Sequence, residues 1–94
     1  MIIRWTSEAR TDRRNQIERL AERNPRAAAS MDAKVEQSVR LLGDFPEIGR
    51  PTNVADTREL SVTGTPYIVV HRLTSATVQI LRLYHSSQDR PGWR

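Results

Sequence analysis

The dipeptide Asn24-Pro25 constrains this chain more than any other feature. It separates two stretches of helical periodicity, and proline disfavours helix in the residue before it while suiting the first turn of a new one. Upstream, Thr6 or Ser7 offers an N-cap, and Glu8 falls in the first turn, where a carboxylate meets the positive end of the helix dipole. The spacing predicts a helix over 7–23 with Ala9, Ile17, Leu20 and Ala21 on its apolar side. That stripe is thin. Arg13 lies between Ala9 and Ile17 where an apolar side chain would fit, so it must either snorkel or be presented to a partner. Downstream, Ala28, Met31, Val35, Val39 and Leu42 recur at three- and four-residue spacing, which predicts a helix over 25–43 stopped by Gly43 and Pro46. Two helices joined by so short a link must lie side by side as a hairpin.

On either side of this hairpin the pattern is that of strands. Ile2, Ile3 and Trp5 suit a short strand over 1–5. The segment from Phe45 to Pro51 is a turn-rich loop, after which Thr57 to Val62, Tyr67 to Leu73 and Val78 to Tyr84 read as strands. Gly64-Thr65-Pro66 and Thr74-Ser75-Ala76 are the turns between them, so 57–85 is expected to be an antiparallel meander with the N-terminal strand added at its edge. Residues 86–94 read as an irregular tail whose Trp93 folds back on the sheet or waits for a partner. The expected class is α+β: an N-terminal strand and an α-helical hairpin packed on an antiparallel β-sheet, as one domain over 1–94.

At 94 residues there is room for one hydrophobic core. The absence of cysteine excludes disulfide frameworks and thiolate metal sites, and two histidines make a poor metal site, so neither metal nor cofactor is expected. Arg4 interrupts the short apolar start, no stretch approaches the length of a membrane span, and the expected location is the cytoplasm. The net charge is +4, unevenly spread: nine basic and eight acidic side chains in residues 1–47, six and three in 48–94. Lys34 is the single lysine, so the positive charge is almost all arginine, the side chain suited to bidentate contact with phosphate or carboxylate. Genomic base composition accounts for such a bias, and so does a nucleic acid, ribonucleoprotein or acidic protein partner.

Several local strings carry a resemblance. Asn24-Pro25-Arg26-Ala27-Ala28 lies between the helices, and Pro46-x-x-Gly49-Arg50-Pro51 in the loop. Thr57-Arg58-Glu59-Leu60, Gly64-Thr65-Pro66-Tyr67-Ile68-Val69 with Arg72, and Val78-x-Ile80-Leu81-Arg82-Leu83-x-His85 follow in the strands. In this order and spacing the chain resembles the RelE/ParE superfamily of bacterial toxins, in its ParE-like branch. The resemblance implies a toxin of a type II toxin-antitoxin pair, neutralised by a cognate antitoxin whose acidic, partly disordered segment folds on binding, as a toxin-antitoxin hetero-oligomer. Within the superfamily, ParE-like members poison DNA gyrase and RelE-like members cut messenger RNA on the ribosome. The fold does not choose between them; the resemblance to ParE favours gyrase.

Cleavage of RNA through its 2′-hydroxyl needs a general base, cations around the phosphorane and an acid for the leaving oxygen. This chain nominates Glu59 as base, Arg58, Arg72 and Arg82 as cations, and His85 or Tyr84 as acid. A lysine-based site is excluded because Lys34 stands alone. In the gyrase reading no residue is catalytic, and Arg10, Arg13, Arg14, Arg58, Arg72, Arg82, His85 and Trp93 are the candidates for target contact. Each has a structural alternative: Arg58 and Glu59 as cross-strand charge pairs, Arg82 paired with an acid, His85 as a surface imidazole, His71 as a structural residue, Tyr67 and Tyr84 as packing aromatics, and the first-helix arginines as a solvated face. A basic binding module without an enzyme target ranks below both, because an aromatic fraction of 5% leaves few platforms for base stacking.

Overall fold

Thr6 decides where the chain leaves the sheet. Its N–H donates to the Ile80 carbonyl (3.0 Å), and its Oγ accepts from the Ala9 N–H (3.1 Å), capping the helix that follows. In the computed structural model, which describes residues 1–87, the order is β1 (Ile2–Trp5), α1 (Ser7–Arg23), α2 (Pro25–Asp44), β2 (Arg50–Pro51), β3 (Thr57–Ser61), β4 (Tyr67–Leu73) and β5 (Thr77–His85). Asn24 serves both helices at once. Its N–H donates to the Leu20 carbonyl (2.8 Å) to close α1, and its Oδ1 accepts from Ala27 N–H (3.1 Å) to open α2. Gly43 does not stop α2; the Met1 ammonium donates to its carbonyl at 2.8 Å, satisfying an otherwise open acceptor at the helix end.

The sheet runs β1-β5-β4-β3-β2. It is mixed rather than antiparallel: β2 to β5 alternate in direction, whereas β1 lies parallel to β5 from Ile2↔Thr77 to Trp5↔Ile80. Tight turns enforce antiparallel pairing, and β1 has none, because it is joined to the rest of the sheet through the helix hairpin. The loop also holds a strand that its prolines and glycine concealed: Arg50 and Pro51 pair with Glu59 and Arg58 at the other edge, where a proline costs no ladder bond.

The hairpin side of the sheet carries the main core, in which Met31, Val35, Val39 and Leu42 of α2 meet Val69, Val78, Ile80 and Leu83. Ala9 and Gln16 are the buried residues of α1, with Ile17 and Leu20 packed at its margin, as the thin stripe implied. A smaller cluster of Ile68, Val70 and Tyr84, with Leu81 against it, occupies the opposite face. A bulge places both faces in register. Val70 opposes Arg82 and His71 opposes Ile80, so the extra Leu81 lets Ile80 and Leu83 both face the helices.

Where β1 ends, β5 continues with an unpaired edge. Helix α1 covers it: Asp12 Oδ2 accepts the Leu83 N–H at 3.0 Å, and the same carboxylate is gripped by Arg82 through Nε (2.7 Å) and Nη2 (3.0 Å). The Asp12 hydrogen bond, more than its charge at a distance, raises the Arg82 pKa. His71 lies under the loop, 1% exposed, with neither ring nitrogen hydrogen-bonded. Burial lowers its pKa from 6.5 to about 4; the neighbouring Ile48 backbone opposes this and the Arg58 charge adds to it. Gly49 (φ 102°) makes room there, since a Cβ would meet Glu59 O at 2.7 Å and His71 Nε2 at 3.4 Å.

Two outcomes follow. Asp12→Ala leaves the Leu83 N–H and the Arg82 guanidinium without this carboxylate, and should cost about 1–3 kcal/mol and lower the thermal midpoint by roughly 5–20 °C. Asp12→Ala/Arg82→Ala should lose less than the two single changes together, read by circular dichroism melts. Because His71 folds neutral with a lowered pKa, the unfolded chain binds its proton first as pH falls. That contribution is complete above pH 6.5 and disappears towards pH 4. Between pH 7 and 4.5 the wild type should lose about 2–3 kcal/mol more than His71→Leu, which lacks the titrating group.

Candidate functional site

On the sheet face away from the helices, alternation along β3 turns Glu59 towards Tyr84. The Tyr84 hydroxyl donates to Glu59 Oε2 at 2.8 Å, and Arg50 Nη2 donates to Oε1 at 3.2 Å. The carboxylate is buried, whereas the Arg50 side chain is 70% exposed and closes over it from the sheet edge. Arg58 takes no part: adjacent strand residues point to opposite faces, and its Nη1 donates to the Gly49 carbonyl at 3.1 Å. The pairing with Glu59 falls instead to Arg50, which β2 sets directly opposite. A cleft of about 250 Å³ between Gly49, Arg50, Ser61 and Ile68 exposes part of this group. Arg72, exposed, lies on the same face opposite Thr57 and Gln79.

His85 points the other way. Its ring stands edge-on to Tyr67 (centroids 5.3 Å, 84°), a core residue of the helix side, and its Nδ1 meets the Ser87 N–H (3.1 Å) and Oγ (2.7 Å). Together with Gln16, Arg19, Leu20 and Arg23 these residues line a cleft of about 210 Å³ between α1 and the end of β5. The structure divides the nuclease candidates: Tyr84 meets Glu59, whereas the other acid candidate, His85, does not. Glu59 and Arg72 share the outer face, His85 is on the helix side, and Arg82 is bound to Asp12 at the β5 edge.

The first-helix arginines divide. Arg13 is neither solvated nor simply snorkelled: it stacks on Trp5 at 4.9 Å, pairs with Asp32 at 2.7 Å and lies 3.7 Å from Glu36, clamping β1, α1 and α2 together. Arg10 and Arg14 remain exposed on the rim of a groove of about 510 Å³ floored by Trp5 and Ile17. Trp93 lies outside the described residues. Among those residues no cluster of histidines and carboxylates could hold a metal ion, and no helix is long and apolar enough to cross a membrane.

Sequence reasoning missed Asp12, Arg50, Arg19 and Arg23. Asp12 meets Arg82 across seventy positions, and the only signal was an arginine among Ile80, Leu81 and Leu83 in need of an acid. Arg50 was hidden in the loop, and nothing in the helical pattern set Arg19 and Arg23 apart from other solvent-facing arginines.

Comparison with known proteins places this architecture. Residues 3–90 match the model of the family described as ParE toxin of type II toxin-antitoxin system, parDE. Y4kP of Sinorhizobium fredii, named a candidate toxin, is 38% identical over 90 residues, covering 95% of this chain and 92% of its own. Toxin RelE1 of Caulobacter vibrioides is 33% identical over 73 residues, 76% of this chain and 77% of its own. Among solved structures, a chain of the chromosomal ParDE system of P. aeruginosa superposes with a TM-score of 0.80 at 24% identity, covering 90% of this chain and 95% of that one, which speaks for the fold. A chain of the RelBE2 toxin-antitoxin complex of Mycobacterium tuberculosis gives 0.61 at 28% identity, over 89% and 95%. The chain thus belongs to the ParE toxins of type II toxin-antitoxin systems, within the RelE/ParE superfamily.

Proposed function

We propose that this toxin acts in the cytoplasm by binding rather than by chemistry of its own, stabilising the cleaved complex of DNA gyrase with DNA, and that a cognate antitoxin neutralises it by direct contact. One observation carries the choice. The groups that would cleave RNA are engaged in the fold: Glu59 holds Tyr84 and Arg50, Arg82 holds Asp12, and His85 faces the opposite side of the sheet. With His85 as the acid, base and acid would have to reach one phosphate from opposite faces of the sheet, and with Tyr84 as the acid the two groups are bonded to each other. Of the residues nominated for target contact, Arg10 and Arg14 on the groove beside Trp5 and Arg72 on the outer face stand exposed. For the antitoxin, a net charge of +4 favours rapid encounter with an acidic segment, and the solved relatives come from a ParDE system and a RelBE2 complex.

Likeness to RelE1 and to a RelBE2 chain supports a second reading, ribosome-dependent cleavage of messenger RNA, with Glu59 and Tyr84 moving apart on the ribosome. One assay separates the two. Toxin freed from its antitoxin is added to gyrase, ATP and relaxed plasmid, and linear DNA should accumulate as supercoiling falls. Arg10→Glu/Arg14→Glu should abolish that product without shifting the melting curve. Normal supercoiling by a folded sample that arrests growth would sink the gyrase reading, and Glu59→Gln and Tyr84→Phe would then be tested for loss of messenger cleavage on ribosomes.

A further inference from the structure

The cleft between α1 and the end of β5 has a lining that folding does not account for. Residues 16, 19, 20 and 23 form one stripe of α1, the stripe turned towards Tyr67 and His85 of its own sheet. Gln16 and Leu20 of this stripe are packed, and Arg19 and Arg23 stand exposed along the rim. Gln16 is 8% exposed, so a polar side chain has been kept in the packed layer. Arg19 and Arg23, one helical turn apart, have no ion-pair or hydrogen-bond partner among the described residues, and like charges at this spacing repel. Arg23 in the last turn also complements the helix dipole, but Arg19 lies too far back for that.

The charge balance of the cleft sets it apart. Four other clefts over the described residues each carry a carboxylate: Glu18 and Asp32 in one, Glu59 in two, Glu47 and Asp56 in the fourth. Among the described residues this one carries none. Its polar groups are the two guanidiniums and the Tyr67 and Ser87 hydroxyls, beside a Gln16 amide and a His85 ring that have contacts of their own. The Ser87 N–H donates to His85 Nδ1 at 3.1 Å, which holds Ser87 at the mouth of the cleft. A cleft whose described lining carries two guanidiniums and no carboxylate suits an oxyanion. Its volume of about 210 Å³ is too small for a whole nucleotide but takes one tetrahedral phosphate, whose oxygens can share two guanidinium forks.

We propose that this cleft is a phosphate-binding site that seats a backbone phosphate of a nucleic-acid strand, with Arg19 and Arg23 as its principal ligands and Ser87 at its margin. It fixes position on a strand and carries no base specificity. The site stands apart from the choice of target, since it requires only that the toxin touch nucleic acid, and its test contains neither gyrase nor ribosome.

The test uses the full chain, freed from antitoxin, with a fluorescein-labelled 20-base-pair DNA duplex followed by anisotropy at several salt concentrations. Arg19→Gln/Arg23→Gln is compared with Arg26→Gln/Arg40→Gln, which removes the same charge from exposed positions on α2, and melts verify that both fold. The first double should weaken DNA binding about tenfold or more and reduce the slope of log K against log salt by about 1–2; the second should change affinity less than about threefold. In parallel, inorganic phosphate is titrated while amide signals are followed by nuclear magnetic resonance, and Ser87, Arg19 and Arg23 should move first. Equal weakening by both doubles would reduce the effect to net charge and overturn the site. Phosphate shifts at the cleft with DNA binding untouched by Arg19→Gln/Arg23→Gln would overturn the nucleic-acid ligand in favour of a free phosphate compound. Loss of antitoxin affinity without loss of DNA affinity would overturn it in favour of a partner's carboxylates.

Discussion

Everything on the helix side of this protein depends on how the open edge of β5 is closed. β1 pairs with β5 only as far as Ile80, and five further residues of β5 would otherwise present unpaired backbone. Thr6 ends the pairing by donating to Ile80, and Asp12, within the next two turns of α1, takes up the Leu83 N–H while Arg82 holds it in place. One carboxylate thus joins a helix to a strand through both a main-chain and a side-chain donor. The anchor is directional, and it fixes α1 more firmly than its thin apolar stripe could. A helix held in this way can carry arginines where another helix would need leucines.

That division of labour explains which parts of the fold were legible in the sequence. The hairpin was, because its determinants are local: Asn24 closes one helix and opens the next with its own backbone and side chain, and the α2 stripe is unbroken. The β4 limits also matched, being set by Pro66 and by the Thr74 turn. The direction of β1 was not legible, since nothing in Ile2–Trp5 states which strand it will join. Nor was β2, whose existence depends on Glu59 and Arg58 arriving opposite Arg50 and Pro51.

The candidate site was legible as residue types but not as an arrangement. Glu59, Tyr84, Arg82 and His85 were all identified, yet their partners are fixed by register and by a single bulge. With Leu81 as the extra residue, β5 changes phase, so that Tyr84 faces Glu59 while Leu83 and His85 face the helices. Without that bulge the alternation of β5 would run on unchanged, and Leu83, Tyr84 and His85 would each turn to the opposite face while Val78 and Ile80 kept theirs. No composition or motif records such a shift.

The same bulge shapes what the molecule can be used for. By sending Tyr84 to one face and His85 to the other, it encloses a carboxylate on the outer side and leaves a donor-lined cleft on the helix side. The outer group is satisfied internally, through Tyr84 and Arg50, and contributes to stability without a ligand. The cleft is not: Arg19 beside Arg23, like Arg10 beside Arg14, keeps like charges a turn apart, at a cost of a few tenths of a kcal/mol for each pair. In a 94-residue domain held by one modest core, such unbalanced pairs are a net loss to the free protein. An anionic partner reverses the sign of each, so any partner that seats there stabilises the fold by the same interactions through which it binds.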